Sequence, residues 1–393
     1  MLSPLSLTPS FGFGDRLGLA TPGHIAAVKG TKFAPIFAQQ SVRENARTRR
    51  TPQQVLDDAR RAVEAAGWNA PWGADADHLK SLDDLPPFVE AGYTFFTVDP
   101  GEHVDNAASS DPLDILKEKA RGLDLDELSA LYLNAPNREQ AWRVFDAESL
   151  LRAVVKYGRA IRHAAQMYRQ LSKMKGDFDF EVSVDETDTP TTPLEHFFIA
   201  SELIRLGVRF TSLAPRFVGR FEKGVNYIGD IAALDVEMAQ HAAVTRHFGT
   251  YKISLHSGSD KFSVYPLLVK HWGARLHVKT AGTSYLEALR VLGCLEPALF
   301  RRMLDLARER YPADRASYHV SADVGKVPAP ADLADADLPP LLDDFHAREV
   351  LHVTFGSLLE KFGVELKAAL VKHEGAYRDG LQIHFKKHLD LLE

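Results

Sequence analysis

Cysteine is nearly absent from this chain, with Cys294 the only one among 393 residues. A single cysteine excludes intrachain disulfide bonds and any thiolate-rich zinc or iron–sulfur site. Ligands for a metal ion would therefore have to come from Asp, Glu and the 16 histidines. Because Cys294 lies in the apolar run VLGCLEPALF, we expect it to be buried and inert.

Long apolar runs and an excess of basic charge are also missing. No stretch approaches the ~20 uninterrupted apolar residues of a membrane span, and the first residues lack the basic start and apolar run of a signal peptide. The net charge of -6 argues against a protein that follows nucleic-acid phosphates. We therefore expect a cytoplasmic protein whose ligand is a small molecule, without a nucleic-acid or membrane partner.

Short β-type runs alternate with amphipathic stretches along the chain, which is the pattern of a parallel sheet covered by helices. Thr51 followed by Pro52 is typical of a helix start. Eight such runs favour a closed (β/α)₈ TIM barrel, and an open doubly wound sheet is the alternative. The eight predicted strands are residues 33–38, 70–76, 93–98, 178–184, 208–213, 251–255, 275–279 and 317–320.

We interpret residues 1–393 as one barrel domain with two additions. The connection at residues 101–176 is long enough for a helical insertion, placed over the catalytic face or at an oligomer interface. Residues 340–393 are predicted to form a C-terminal helical extension that packs on the barrel. The sequence leaves open whether the chain forms a homo-oligomer.

Polar side chains gather where the predicted strands end, and in a βα barrel the active site lies at those ends. A lone histidine there is usually a hydrogen-bonded cap, but six of the eight predicted ends carry imidazole or carboxylate groups. Such groups suit Zn, Mn, Co, Ni or Mg when thiolates are absent. The residues are Asp75, Asp77, His78, Asp99, Glu102, His103, Asp185, Glu186, Asp188, His256, Asp260, Lys261, His277, Lys279, His319, Ser321 and Asp323.

Strand alternation limits which of these side chains converge. Asp185 and its neighbour Glu186 cannot both point into the barrel from one regular strand, so one is expected in the following loop. Along the predicted strand at 251–255 and just beyond it, Lys252 and His256 share a face. Lys252, like His277, is deep enough to fill the barrel or to act from behind the site. The loop after His256 (SGSDK) suits either an oxyanion or a helix N-cap, with Asp260 as the cap.

The N-terminal segment FGFGDRLGLATPGH is rich in glycine, but it lacks the GxGxxG spacing and no strand is predicted before it. We therefore exclude a nicotinamide site there. Asp15, Arg16 and His24 would either close one end of the pocket or belong to a plug on the barrel floor.

Four sequence blocks together resemble the tagaturonate/fructuronate epimerases of hexuronate catabolism. They are FGFGDRLGLATPGH, EVSVDETDTPTTPLEHFF, FEKGVNYIGD and KISLHSGSDKFSVYP, spread over most of the chain. The segment WGADADHL is also similar to the Gly-Asp-His strand end of tagatose-bisphosphate aldolase accessory subunits, a related barrel family, although Ala76 replaces the glycine. The first resemblance implies interconversion of D-tagaturonate and D-fructuronate at C4 with a divalent cation.

The chemistry favours a retro-aldol route, because C4 lies β to both the C2 ketone and the carboxylate and its hydrogen is not acidified. Such a route needs a Lewis acid and a positioned acid/base pair. We assign Asp185 as the base and Asp260 as the acid. The predicted metal ligands are Glu186, His256 and His319, with His277 as a replacement for one of them, and the predicted substrate-binding residues are Arg16, Lys223, Lys279 and His78.

Two other functions stay open from the sequence. One is a class II-type aldolase or isomerase acting on a related sugar acid or phosphate. The other is a non-catalytic aldolase accessory subunit, although a purely structural barrel gives no reason to collect ionisable groups at one rim.

Overall fold

Eight parallel strands close into a barrel in this computed structural model, which describes residues 1–133 and 141–393. Neighbouring strands pair in chain order, and the pairing of β1 with β8 closes the barrel. The prediction of a TIM barrel is therefore confirmed, and the open sheet is excluded. The strands are β1 (Ser10–Phe13), β2 (Ala34–Ser41), β3 (Gly73–Leu79), β4 (Phe95–Val98), β5 (Asp179–Ser183), β6 (Ser212–Ala214), β7 (Lys252–Leu255) and β8 (Leu276–Thr280).

Helices surround this barrel on its outer face. The α-helices are α1 (Thr21–Val28), α2 (Val42–Thr48), α3 (Pro52–Ala65), α4 (Leu85–Ala91), α5 (Leu113–Lys119), α6 (Leu125–Tyr132), α7 (Ala147–Met174), α8 (Pro193–Arg205), α9 (Ile231–Phe248), α10 (Tyr265–Trp272), α11 (Thr283–Leu295), α12 (Pro297–Asp314), α13 (Phe345–Val353), α14 (Phe355–Lys372) and α15 (Glu374–Asp390). Short 3₁₀ helices lie at Leu82–Asp84, Gly101–His103, Asn106–Ser109, Ala141–Arg143, Arg315–Ser317, Val324–Lys326, Pro330–Asp332, Asp335–Asp337 and Pro339–Leu342. No helix in the described ranges is long and apolar enough to cross a membrane.

Helix starts follow the local sequence signals. The Thr51 side chain accepts the backbone N–H of Gln54, whose own side chain bonds back to Thr51, as the Thr-Pro signal predicts. Thr192 and Glu195 form the same reciprocal cap on α8. Local capping chemistry therefore fixes where these covering helices begin.

Two strand predictions were wrong, at opposite ends of the barrel order. β1 was missed because its sequence, SFGF, is short and interrupted by glycine. A Cβ at Gly12 would lie 1.8 Å from Oε1 of Gln39, so the glycine marks a close approach of that side chain within the sheet and not a loop. The predicted strand at 317–320 is instead the end of a 3₁₀ helix (Arg315–Ser317) and three residues without strand structure, because β8 already pairs with β1 and leaves no place in the closed sheet.

Cys294 is exposed in the last turn of α11, so the prediction that it is buried was wrong. Its apolar sequence surroundings were misleading because α11 buries other positions, such as Leu289 and Leu292.

The C-terminal helices are fastened to the loop after β7 through Asp260. One Asp260 carboxylate oxygen lies 2.8 Å from Nη2 of Arg348 on α13, and the other lies 2.6 Å from Nε2 of His384 on α15. The Asp260 backbone N–H donates to Nε2 of His388, also on α15, at 3.0 Å. These buried contacts connect the end of the chain to a loop at the carboxyl-terminal rim of the barrel.

Replacing Arg348 by Met should lower the free energy of unfolding by about 3–5 kcal/mol, because it leaves the buried Asp260 carboxylate without its cation. Chemical denaturation of the variant measures this loss. Arg302→Met is the matched control, since Arg302 pairs with Glu365 at a site where both side chains are about half exposed (54% and 49%). That change should cost less than about 1 kcal/mol. Equal losses in the two variants would contradict the proposed role of Arg348.

Candidate active site

The interior of the barrel contains a charged cluster centred on Lys279 of β8. Its ammonium nitrogen lies close to three buried carboxylates, with distances of 2.7 Å to Asp75, 2.8 Å to Asp77 and 2.9 Å to Glu181. Burial lowers the pKa of Lys279, but the three carboxylates raise it by more, so the net pKa lies above its ordinary value. Lys279 is therefore not free to bind a substrate carboxylate, contrary to the sequence-based prediction.

His256 follows β7 and stands above this cluster. Its Nε2 lies 2.6 Å from Oε1 of Glu181, and its Nδ1 lies 3.2 Å from Oδ1 of Asp185. Burial lowers the pKa of His256, but the negative charges of Asp185 and Glu181 raise it by more, to about 9. The imidazole thus connects the barrel interior to the rim, where Asp185 begins the loop after β5.

His78 is directed toward His256 by an irregularity in β3. The pairing register of β3 with β4 shifts between Ala76 and Leu79, and His78 has a φ of 52°, which side chains rarely adopt. The two imidazole rings lie 5.1 Å apart, edge to face. Such bulges reorient side chains next to active sites, and here the bulge places His78 at the rim.

Asp99, which follows β4, orients His78. Its Oδ2 lies 3.2 Å from Nδ1 of His78, and its Oδ1 accepts the backbone N–H of Gly101 at 2.9 Å. Burial lowers the pKa of His78, but the surrounding carboxylates, chiefly Asp77, raise it by more, to about 10. A hydrogen bond from Nδ1 to a carboxylate leaves Nε2 available as a metal ligand.

Two groups at this rim have metal-ligand spacing, and both contain His78. One consists of Asp77, His78 and His256, and the other of His78, Asp99 and Glu186; in each, the ligand atoms lie within 4.8 Å of one another. Oxygen and imidazole donors at this spacing suit a divalent cation.

A third group with that spacing, formed by Asp260, His384 and His388, already uses its donor atoms. His388 donates from Nδ1 to the His384 carbonyl oxygen and accepts the Asp260 backbone N–H at Nε2. Both Asp260 carboxylate oxygens have partners on the C-terminal helices. These contacts join the C-terminal helices to the loop after β7, and none of the three residues lines the cavity that contains Glu186 and His256.

The predicted ligands Glu186, His256 and His319 line one cavity of about 380 Å³. They do not form one ligand group within the described ranges, because His256 groups with Asp77 and His78, while Glu186 groups with His78 and Asp99. His319 belongs to neither group and is exposed in a segment without strand structure. The three predicted ligands therefore share one cavity but not one group with metal-ligand spacing.

The two predicted acid/base residues have different environments. Asp185 lines the cavity, accepts a hydrogen bond from Ser183 and keeps 15% of its side chain exposed. Burial raises its pKa, but His256 and His78 lower it by more, so Asp185 is ionised. Asp260 does not line this cavity, and its carboxylate is bound by Arg348 and His384. The assignment of Asp260 as the acid was therefore wrong.

The remaining predicted residues are placed as follows. Arg16 lies at the carboxyl-terminal rim, since it follows β1, and the alternative of a floor plug is excluded. Lys223 lines the cavity and donates to Oγ of Ser257 at 2.7 Å. His277 is buried beside β1, where its Nδ1 contacts Oγ of Ser10 at 2.9 Å, and Lys252 bonds the same hydroxyl at 2.8 Å. Both residues are fully buried inside the barrel, and His277 belongs to none of the groups with metal-ligand spacing among the described residues.

Sequence reasoning missed the role of Glu181, although a signal was present. Alternation along β5, continued two residues past its end, places Glu181, Ser183 and Asp185 on one face, and all three side chains contact His256. The bulge at His78 had no such signal, because the sequence ADADHL is compatible with a regular strand.

Comparisons with known proteins agree on one family. The family model for tagaturonate epimerase, UxaE, matches residues 3–392. A tagaturonate/fructuronate epimerase from Thermotoga maritima is 46% identical over 396 residues, covering 98% of this chain and 81% of the relative.

Solved structures give the same result. The glycerol-complexed fructuronate-tagaturonate epimerase from Cohnella laeviribosi is 40% identical, with a TM-score of 0.95 over 100% of this chain and 83% of that one. A probable tagatose 6 phosphate kinase from Sinorhizobium meliloti, 12% identical with a TM-score of 0.51 over 98% of this chain and 99% of that one, shares the fold alone.

Replacing Lys279 by Met should lower the free energy of unfolding by roughly 3–5 kcal/mol, because three buried carboxylates lose their common cation. Thermal and urea unfolding measure this effect. The matched variant Lys223→Met removes an ammonium that keeps 24% of its side chain exposed, and we expect it to unfold near the wild-type midpoint. Wild-type stability in Lys279→Met would contradict the charge-compensation role.

Proposed function

This chain belongs to the tagaturonate epimerase family and is an epimerase, and we propose that it inverts C4 of D-tagaturonate and D-fructuronate by a metal-assisted retro-aldol reaction. The observation that carries this proposal is the convergence of Asp77, His78 and His256 beside Asp185, which lines the cavity at the carboxyl-terminal rim. One oxygen and two nitrogen donors adjoin a carboxylate that can exchange a proton with a bound sugar acid.

The donor set fits a divalent cation. Asp77 and the imidazoles of His78 and His256 supply hard and intermediate ligands without a thiolate. Asp99 orients the His78 ring from behind, the usual arrangement for a metal-binding histidine. When bound, such a cation supplies Lewis-acid polarisation of the substrate ketone and stabilisation of negative charge.

The retro-aldol route avoids breaking the C4–H bond, which neither the ketone nor the carboxylate acidifies. A base removes the proton of the C4 hydroxyl, C4 becomes an aldehyde carbon, and the electrons of the C3–C4 bond pass to C3 and the C2 carbonyl as an enediolate. The three-carbon aldehyde then turns its other face to C3. Re-formation of the C3–C4 bond and return of one proton give the C4 epimer with all six carbons retained.

Asp185 is our candidate for the base. It is ionised and partly exposed to the cavity, whereas Asp77 and Glu181 are bound from below by Lys279. Its hydrogen bond from Ser183 fixes the orientation of the carboxylate.

Lys223 is our candidate for the proton donor, in place of Asp260. It lines the same cavity as Asp185, and its ammonium nitrogen is held 2.7 Å from Oγ of Ser257. Ser257 immediately follows His256, so this contact places the donor next to the proposed cation site.

His78→Ala and His256→Ala should each lose bound divalent metal and turnover, because each removes a ligand. Elemental analysis of the purified variants measures metal content, and product formation from D-tagaturonate measures turnover. His319→Ala, which removes a histidine of the same cavity that lies outside the ligand groups, should retain wild-type metal content. Metal loss in His319→Ala but not in His78→Ala would contradict the ligand assignment.

Asp185→Asn separates proton transfer from metal binding. It should keep the metal and lower kcat by about 10²–10⁴-fold, the usual contribution of a positioned acid/base group. Metal loss in this variant would instead make Asp185 a ligand.

Isotope labelling tests the route itself. Turnover in D₂O should place no deuterium at C4, and substrate deuterated at C4 should keep its label without a primary kinetic isotope effect, because the C4–H bond is never broken. NMR of the product measures the label, and comparative initial rates give the isotope effect. Deuterium uptake at C4 would indicate direct deprotonation, a primary effect would indicate hydride transfer, and net release of three-carbon fragments would identify an aldolase.

A further inference from the structure

A second, smaller recess opens beside the proposed cation site. It has a volume of about 40 Å³, and its lining includes Asp77, His78 and His256 as well as Arg16, Gln39 and His352. Since a water needs roughly 10–15 Å³ of such volume, the recess accepts a group of a few polar atoms and excludes a whole sugar. Its size therefore suits one end of a sugar acid.

Three buried polar side chains of this recess have atoms without a hydrogen-bond partner in the described part of the chain. They are both amide atoms of Gln39, Nη1 of Arg16 and Nδ1 of His352. The residues are only 1%, 3% and 2% exposed, respectively. A buried polar atom without a partner costs about 1–3 kcal/mol, so four such atoms on three residues at one recess indicate a ligand that completes their hydrogen bonds.

Glycines make room for these side chains. A Cβ at Gly12 of β1 would lie 1.8 Å from Oε1 of Gln39, and a Cβ at Gly282 after β8 would lie 1.9 Å from Nε2 of His352. Gly282 also lines the recess. His352, on C-terminal helix α13, thus lies so close to the barrel mouth that a Cβ at Gly282 would displace its ring.

The surroundings of His352 are positively charged. Burial places its pKa well below the ordinary value, and four cations lower it further: Arg16, Lys223, Arg348 and Lys261. Glu44 neutralises part of the charge of Arg16 through contacts with Nε and Nη2, but Nη1 of Arg16 remains available. The donors and the local charge both favour an anionic oxygen ligand.

We propose that this recess binds the carboxylate of the uronate, with Arg16, Gln39 and His352 as the residues that distinguish a uronate from a neutral ketose. The proposal rests on the proposed function, because it takes a uronate as substrate. The carboxylate accepts hydrogen bonds from Arg16 and from the Gln39 amide. His352 completes the recess from α13, so the C-terminal helices contribute to specificity as well as to the fold.

The test compares binding of two probes to chelator-treated protein by calorimetry. The probes are D-tagaturonate and D-tagatose, which has a hydroxymethyl group in place of the carboxylate. Wild type should bind D-tagaturonate more tightly. Gln39→Ala and His352→Ala should weaken D-tagaturonate binding by about 10-fold or more, the loss expected for a hydrogen bond to a charged group, and leave D-tagatose within about twofold.

One control variant and one pair of glycine variants keep the result interpretable. Arg220→Ala removes a cation of the larger cavity that lies outside the recess, and it should leave the preference for D-tagaturonate intact. Gly282→Ala should reproduce the loss of preference by displacing His352, whereas Gly176→Ala, with no atom near the added Cβ, should not. Thermal unfolding of each variant identifies any that fails to fold. If a recess variant does not fold, the comparison of Gly282→Ala with Gly176→Ala decides whether the recess sets the preference for D-tagaturonate.

Each outcome bears on the proposal. Equal weakening of both probes by the recess variants, or loss of the preference in Arg220→Ala, would overturn it. Because the measurement needs neither bound metal nor turnover, failure of the epimerase mechanism would appear separately, as wild-type protein that prefers D-tagaturonate but forms no epimer.

Discussion

The ion cluster around Lys279 is the constraint on which the rest of the site depends. A barrel interior usually contains apolar side chains in layers, and here it contains Asp75, Asp77 and Glu181 around one ammonium. Each buried carboxylate alone would cost several kcal/mol of desolvation, and the shared cation offsets that cost. Because the four side chains come from three strands, their geometry fixes the strands relative to one another at the level of the site.

This cluster also positions the groups above it. Glu181 contacts Lys279 on one side and Nε2 of His256 on the other, so the imidazole is held at the rim by the same charges. Asp77 contacts Lys279 and also belongs to the candidate ligand group with His78. The chemistry at the rim therefore depends on electrostatics in the barrel below, and buried ions of this kind provide positioning more than stability.

Strained backbone at the rim is supported by the C-terminal helices. His78, Ser257 and Asp260 have positive φ values of 52°, 49° and 60°, each of which costs on the order of 1–3 kcal/mol for a residue other than glycine. Asp260 is held by Arg348 and His384, so α13 and α15 help to keep the loop after β7 in this conformation. Helices far from the strands in sequence thus help to maintain the active-site loops.

The sequence by itself determined the class of fold and the rim at which the candidate site lies, because strand alternation and strand ends depend on local order. Asp185 and His256 were assigned to the rim in this way, whereas Lys223 was assigned only after the resemblance to the epimerases had been noted. Only the tertiary structure decided which charged groups are free, because the partners of Lys279 lie on β3 and β5, and those of Asp260 lie on α13 and α15. The bulge at His78 and the approach of His352 likewise arise from packing between distant segments, which no local pattern encodes.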